Sequence, residues 1–328
     1  MNERSGVDDP RYDAAFREAM LRPGIRGVFL KWATILRLPF LSASLVSVLI
    51  GAAWAGFRHP TAPVPWWAFP LAFLGAAAIH TAANTFNDYF DWRSGTDRVN
   101  IDYLAPFTGG SRAVDLGLIS ERGLFAVASV ALLIAVGVGG CFLAAGRTAI
   151  LVIGLVGAFS AYFYTAPPLR LVARKGVGEF LIGLNFGVLV AAGTAYVLSG
   201  SLSAADFWIG VPIGLLTVAI LWINQFPDAA SDEATGKNHL VVVLGKRKAR
   251  WGYVALLGAA FVVQAGMVAY GLLSAGGLLP LITLPLALYA ARVMFLSYRD
   301  RSLARGCAAT IKLQLLFGIL SAAGLHWF

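Results

Sequence analysis

The sequence predicts an all-α membrane protein, and two observations carry this prediction. First, 58% of the 328 residues are hydrophobic and only 13% are charged, with a mean hydropathy of +0.73. Soluble domains carry about 25% charged residues. Second, long segments such as 38–57 and 124–146 contain no charged residue. Because about twenty apolar residues cross the hydrocarbon core as a helix, these segments predict transmembrane helices.

We interpret nine apolar segments as membrane spans. They cover residues 38–57, 66–90, 123–146, 148–167, 178–198, 207–227, 251–273, 278–297 and 307–327. Most of the 26 Lys and Arg residues lie in the N-terminal segment and in the connections that follow the second, fourth, sixth and eighth spans. Since positive residues concentrate on the inner side, the N-terminus is predicted to be cytoplasmic. The formal charge of +9 therefore reflects topology and does not indicate nucleic-acid binding.

We expect a cytoplasmic N-terminal segment, 1–37, followed by one transmembrane domain, 38–328, in the cell (inner) membrane. The inner connections 91–122 and 228–250 are long, and long connections in a compact protein are often functional. The chemistry is therefore expected at the cytoplasmic face. The sequence leaves the oligomeric state open.

Two acidic motifs, 84–97 and 224–232, stand at the predicted inner ends of the second and sixth spans. Asn84-Thr-Phe-Asn-Asp88 and Asn224-Gln-Phe-Pro-Asp228 share the pattern Asn-x-Phe-x-Asp, which suggests duplicated halves. Helical spacing places the polar residues of each motif on one face. These residues are Asn84, Asp88 and Asp91 in the first motif, and Asn224, Asp228 and Asp232 in the second.

Carboxylates stacked on one helix face repel one another unless a cation compensates them. Oxygen ligands suit Mg²⁺, which proteins hold through one or two carboxylates together with substrate phosphates. Asp88, Asp91, Asp228 and Asp232 are therefore predicted to bind two Mg²⁺ ions that neutralise a diphosphate. Asp97 follows the first motif. The alternative is that these residues are helix caps and solvated loop charges.

Basic residues of the inner connections could hold the phosphate oxygens. Arg112, Lys175 and Lys237 are the candidates named here, and the alternative for each is a role in topology alone. Tyr162 could line a prenyl tunnel or anchor its span at the interface. His80, one turn before Asn84, could contact an acceptor, although a hydrogen bond to Asn84 is the simpler interpretation. The Gly183–Gly187 and Gly210–Gly214 pairs predict close helix packing.

Four segments resemble the UbiA prenyltransferase superfamily, and most closely its 1,4-dihydroxy-2-naphthoate prenyltransferases. They are the first-span entry from Lys31 to Pro39, the first motif with Gly109-Gly-Ser-Arg112, the segment from Tyr164 to Glu179, and the second motif with Gly236-Lys-Asn-His239. The resemblance implies nine helices around a central cavity. It also implies that Lys175 is a diphosphate ligand and places Arg37 among the substrate-binding residues. At Gln225-Phe226-Pro227 the chain departs from typical members, which have a second Asn and an Arg.

The predicted function is Mg²⁺-dependent transfer of a prenyl group from a polyprenyl diphosphate to an aromatic acceptor, 1,4-dihydroxy-2-naphthoate in menaquinone synthesis. Asp88, Asp91, Asp228, Asp232 and Lys175 are the expected catalytic residues. Asn84, Asn224, Arg112, Lys237, Arg37, Asp97 and Tyr162 are the expected substrate-binding residues. Two alternatives stay open: a related enzyme for 4-hydroxybenzoate, haem or a chlorophyllide, and a secondary transporter, whose acidic residues would lie nearer the midplane.

Overall fold

The structure is a computed structural model that describes residues 17–61, 65 and 67–327. These residues are almost entirely helical and contain no β-strand, apart from one isolated bridge between Arg174 and Asn238. The predicted all-α class is therefore confirmed. Residues 1–16 of the predicted N-terminal segment lie outside the described residues.

The longer helices are numbered here in chain order. They are α1 Ile25–Ile35, α2 Leu38–Arg58, α3 Ala68–Ser94, α4 Glu121–Ala144, α5 Ile150–Phe163, α6 Val177–Ser199, α7 Val211–Ala234, α8 Lys246–Ala269, α9 Ala275–Ser297 and α10 Ala304–Trp327. Several ends follow local sequence signals. Helix α4, for example, begins after Ser120, whose hydroxyl accepts a hydrogen bond from the Gly123 N–H at 3.1 Å.

Seven helices of the described chain are long and apolar enough to cross a membrane, whereas the sequence predicted about nine spans. The two others still form helices where spans were predicted. Helix α3 has 27 residues and carries the first acidic motif, and it is not among the seven. Helix α5 has only 14 residues, about 21 Å at 1.5 Å per residue. The length and apolar composition of these helices therefore indicate a multi-pass membrane protein.

Within the predicted N-terminal segment, residues Ile25–Ile35 form helix α1. Its apolar side chains Ile25, Val28, Phe29 and Trp32 are spaced along one face and are exposed. Such a stripe is typical of a helix that lies in the membrane interface. Helix α1 is followed directly by α2, the first predicted span.

The helices enclose one large cavity on one side of the molecule and a packed core on the other. The core lies mainly between α2, α7, α8 and α10, and its largest buried side chains include Trp54, Phe226, Tyr253 and Phe317. Helices α6 and α7 meet through the predicted glycine pairs. A Cβ atom on Gly187 would lie 2.2 Å from the Gly214 Cα, so only glycine permits this approach. This prediction is confirmed.

Candidate active site

The cavity has a volume of about 540 Å³ and lies between α2, α3, α4, α5, α6 and α7. Its walls are mostly apolar, and polar side chains gather where α3 and α7 end. Asn84, Asp88 and Asp91 lie on α3 and Asn224, Asp228 and Asp232 lie on α7, as predicted, whereas Asp97 follows Gly95 in a short helical turn. The predicted site residues of these motifs that line the cavity are Asn84, Asp91, Asp97, Asn224, Asp228 and Asp232. The two motifs, 140 residues apart in sequence, therefore share one end of one cavity.

Lys237 joins the second aspartate of each motif. Its Nζ lies 2.6 Å from Asp91 Oδ2 and 3.7 Å from Asp232 Oδ1, and its side chain is 8% exposed. Burial by itself would lower the pKa of Lys237, but the negative charges of Asp91 and Asp232 have the larger effect. The pKa of Lys237 is therefore raised above its usual value. His239 Nε2 lies 3.0 Å from Asp232 Oδ2. Lys237 thus stays protonated and links the two halves.

The connection between α3 and α4 joins the first aspartate of each motif. The Gly109 N–H donates to Asp228 Oδ2 at 3.1 Å, and the Ser111 N–H donates to Asp88 Oδ2 at 3.2 Å. Between them Gly110 has φ of +71°, and a Cβ atom there would lie 2.8 Å from Asp88 Oδ1. Glycine is therefore required at this position both for the backbone conformation and for the space.

Arg37 is the second cation at this end of the cavity. Its Nη1 lies 3.5 Å from Asp88 Oδ1, and Arg37 itself lines the cavity, whereas Asp88 is buried behind it. Asp97 lies nearby and is 6% exposed. Burial raises the pKa of Asp97 to about 8, and the charges of Asp91 and Asp88 add to the effect. The acidic end therefore disfavours further negative charge unless a cation joins it.

The acidic end fits Mg²⁺ in one particular way. Within the described residues no three Asp, Glu, His or Cys side chains converge as a metal-binding group, so no all-protein cage is formed. The Oδ1 atoms of Asp88 and Asp91, however, are buried and make no hydrogen bond. Oxygen ligands of this kind suit Mg²⁺ held by one or two carboxylates and completed by substrate phosphates. The donor set therefore fits an ion that arrives with a diphosphate.

Two predicted phosphate ligands lie outside the cavity lining. The Lys175 side chain is exposed, and its backbone N–H donates to the Asn238 carbonyl at 3.1 Å. Arg112 pairs with Asp115, donates to the Asn100 carbonyl at 3.0 Å and stacks 4.4 Å from the Tyr103 ring centroid. The structure brings Arg37 and Lys237, but neither Lys175 nor Arg112, to the cavity.

Tyr162 also points away from the cavity. Its ring packs edge-to-face on Phe86, with centroids 5.2 Å apart, and on Phe90, in a cluster between α3, α4 and α5. Tyr164, two residues later, does line the cavity, and its buried hydroxyl has no hydrogen-bond partner. The sequence placed both tyrosines at a span end. It could not separate them because α5 ends between them, at Phe163.

Two polar contacts near the acidic end of the cavity were not predicted from the sequence. The Asn100 amide donates to Asp228 Oδ1 at 2.8 Å, and the Glu179 Oε1 atom accepts the Leu240 N–H at 2.8 Å. Asn100 lies in a loop with no periodic signal, so only the fold could show this contact. Glu179 is 4% exposed at the start of a span, and an acidic residue there is a functional signal that was available.

The sequence matches the UbiA prenyltransferase family over residues 44–317, which is most of the chain. The chain belongs to this family. It is therefore a prenyltransferase, and membership in the UbiA family decides against a secondary transporter.

Curated UbiA relatives cover nearly the whole chain at low identity. The Escherichia coli 1,4-dihydroxy-2-naphthoate octaprenyltransferase is 28% identical over 90% of this chain and 94% of its own length. The Synechocystis 2-carboxy-1,4-naphthoquinone phytyltransferase is 27% identical over 90% of this chain and 93% of its own. A chicken protein named for its UbiA prenyltransferase domain is 28% identical over 87% of this chain and 81% of its own.

Solved UbiA structures share the fold. The apo UbiA homologue from Aeropyrum pernix gives a TM-score of 0.63 at 16% identity, over 88% of this chain and 96% of that chain. The Archaeoglobus fulgidus homologue, solved with DMAPP and Mg²⁺, gives 0.62 at 17% identity, over 91% of this chain and 100% of that chain. At these identities the comparison supports the predicted UbiA-like fold and nothing finer.

Proposed function

We propose that this UbiA prenyltransferase transfers the prenyl group of a polyprenyl diphosphate to 1,4-dihydroxy-2-naphthoate, the acceptor of menaquinone synthesis. The observation that carries the proposal is the meeting of two acidic motifs and two cations at one end of a long apolar cavity. Relatives named for naphthoate substrates support the acceptor, and neighbours solved with Mg²⁺ and prenyl diphosphates support the donor.

Mg²⁺, when bound, would neutralise the diphosphate and favour its departure. Asp91, Asp228 and Asp232 at the cavity, with Asp88 behind them, would hold the ion, and either one or two ions fit this number of carboxylates. Lys237, which is buried, and Arg37, whose side chain is 15% exposed, reach the same end. Preorganised charges of this kind stabilise the leaving group without reorganising during the reaction. Lys175 could contact the diphosphate only from outside the present cavity lining.

In the proposed reaction the bond between C1 of the prenyl group and the diphosphate oxygen breaks, and its electron pair leaves with the diphosphate. A ring carbon of the acceptor then supplies the electron pair of the new carbon–carbon bond. That carbon finally loses a proton or, where it carries a carboxylate, carbon dioxide, which returns an electron pair to the ring. The apolar cavity would hold the isoprenoid tail and exclude water from the electron-deficient carbon.

The acidic end is proposed to face the cytoplasm, with nine spans in the inner membrane. The distribution of Lys and Arg supports this topology, because 22 of the 26 lie in the segments predicted to be inside. Helices α3 and α5 would then cross as the second and fourth spans. The polyprenyl tail would lie within the bilayer while the diphosphate enters from the cytoplasmic side.

The proposal is tested with purified protein, Mg²⁺, a polyprenyl diphosphate and one acceptor at a time, with products identified by mass spectrometry. We expect prenylated naphthoate product, no product in chelator, and at least about a hundredfold loss of turnover in Asp228→Asn and Asp232→Asn. 4-Hydroxybenzoate is the comparison acceptor because Gln225, which lines the cavity, stands where the resemblance expects Asn. Product with 4-hydroxybenzoate alone would refute the naphthoate assignment, and full activity in chelator would refute the metal.

A further inference from the structure

The cavity holds a second group of polar side chains, away from the acidic end. This mid-cavity cluster consists of His80 on α3, Ser160 on α5 and Asn185 on α6, all of which line the cavity. Each has one buried atom without a hydrogen-bond partner: His80 Nε2, Ser160 Oγ and Asn185 Oδ1. Unpartnered buried polar atoms destabilise a protein, so several around one space indicate a ligand that satisfies them.

The three residues stand where α3, α5 and α6 approach one another. A Cβ atom on Gly157, one turn before Ser160, would lie 4.0 Å from Asn185 Oδ1 and 4.0 Å from a side-chain atom of Ile79. Ile79 precedes His80, and the His80 ring lies 5.0 Å from the ring of Phe186, which follows Asn185. Helices α3, α5 and α6 therefore meet here, and the cluster is one local feature.

The partner of His80 determines what His80 offers to the cavity. Its Nδ1 lies 2.6 Å from the hydroxyl of Ser44, so the simpler interpretation, a hydrogen bond to Asn84, is wrong. Ser44 is fully buried, and its hydroxyl makes no other hydrogen bond in the described part of the chain. The hydroxyl proton is therefore donated to Nδ1, which leaves the ring proton on Nε2. His80 then presents an N–H donor to the cavity.

Asn185 offers the complementary group. It lies in a π-helical segment, Gly183–Leu189, and such segments often mark functional sites. Its amide nitrogen donates to the Leu181 carbonyl at 2.8 Å, so Oδ1 remains as a free acceptor. The Ser47 hydroxyl donates to the Phe186 carbonyl at 2.8 Å and supports the segment from behind. The cluster thus has both a donor and an acceptor for a hydroxyl group.

We propose that the mid-cavity cluster binds an oxygen substituent on the far side of the aromatic acceptor, with His80 as the donor. This inference rests on the proposed function. His80 precedes Asn84 by four residues, or about 6 Å along the helix, which is close to the spacing of para oxygens on one ring. The Asn84 amide nitrogen also lacks a partner. An isoprenoid tail has no hydrogen-bonding atom, so the cluster selects acceptors with oxygens on opposite sides of the ring.

The test measures dissociation constants of acceptors in the presence of Mg²⁺ and an unreactive thio analogue of the prenyl diphosphate. The acceptors are 1,4-dihydroxy-2-naphthoate and its two analogues that each lack one hydroxyl. We expect His80→Leu to weaken binding of the dihydroxy compound by roughly three- to tenfold. One of the two analogues should bind wild type and His80→Leu equally, because it lacks the oxygen that His80 contacts.

Matched variants separate this role from a structural one. His80→Gln keeps a donor and should recover part of the affinity, whereas Ser44→Ala should reduce the discrimination by releasing the ring. Ser321→Ala is the control, because Ser321 is also buried but lies on α10, outside the cavity lining, where its hydroxyl donates to the Phe317 carbonyl. Affinity for the thio analogue should stay unchanged throughout, which also reports on folding.

The outcomes distinguish the two proposals. Equal losses for all three acceptors, or none, would overturn the role of His80 while leaving the proposed function intact. Failure of wild type to bind any of the three would refute the proposed function and, with it, this inference.

Discussion

Replacing Lys237 by Met removes the cation that joins Asp91 to Asp232 while keeping most of the length of the side chain. At an effective dielectric constant of about 20, unit charges at these two separations attract by roughly 6 and 4 kcal/mol. Desolvation of the buried groups cancels much of this. Breaking a buried pair on one side typically costs about 3–5 kcal/mol, because the remaining charges stay buried without compensation. Lys237→Met should therefore clearly lower the thermal stability of the metal-free protein.

The assay is the midpoint of thermal unfolding in detergent, measured in chelator and again in Mg²⁺ with inorganic diphosphate. Mg²⁺ should stabilise Lys237→Met more than wild type, because the carboxylates then lack their own cation. Lys248→Met is the matched control, since Lys248 is exposed and has no ion pair among the described residues. If Lys237→Met in chelator unfolds at the temperature of wild type, the bridge contributes no stability and the reasoning is refuted.

Three further predictions follow from particular contacts. Gly110→Ala should abolish most activity, because the added methyl group would collide with Asp88. Gly236→Ala is the control and should lose less activity, because Gly236 has a similar positive φ but open space around it. Equal losses in steady-state turnover would contradict this prediction. Lys175→Ala is expected to raise the KM for prenyl diphosphate if Lys175 contacts it, but the structure predicts a larger rise for Arg37→Ala. A larger rise for Lys175→Ala than for Arg37→Ala would restore Lys175 as the main ligand. In a background without Cys141 and Cys307, Lys248→Cys should be shielded from impermeant thiol reagents in intact cells and Ser201→Cys labelled, and the reverse pattern would invert the proposed topology.

Both motifs could be located from sequence because their chemistry depends on local periodicity. Asn84 and Asp91 lie on one helix face by spacing alone, and Asp228 and Asp232 do so on the other helix. Membership of the family could also be predicted, because the motif residues are contiguous and specific. The helices could be predicted from uncharged segments of the sequence. The apolar segment of α3 is shorter than the helix itself, because α3 ends in the polar residues of the first motif.

The partners of these residues could not be predicted, because they depend on how loops return to the helices. Lys175 and Lys237 both stand in basic inner connections, and nothing in their neighbourhoods separates a buried lysine from an exposed one. Lys237 is buried because its backbone N–H donates to the Asp232 carbonyl at 2.7 Å, which turns the chain back toward the cavity. The orientations of Tyr162 and Tyr164 could not be predicted for a similar reason, because the end of α5 determines which of the two side chains points into the cavity.

The duplicated pattern explains why the acidic end needs both halves of the chain. The first aspartates, Asp88 and Asp228, accept N–H groups from the same loop, whereas the second aspartates, Asp91 and Asp232, share Lys237. Each of these two cross-links therefore joins equivalent positions of the two motifs. Arg37 and His239 add contacts within each half, to Asp88 and to Asp232. The four carboxylates repel one another, and the charges of Arg37 and Lys237 offset part of this repulsion. A divalent ion that arrives with a diphosphate would add positive charge where the carboxylates of the two halves meet.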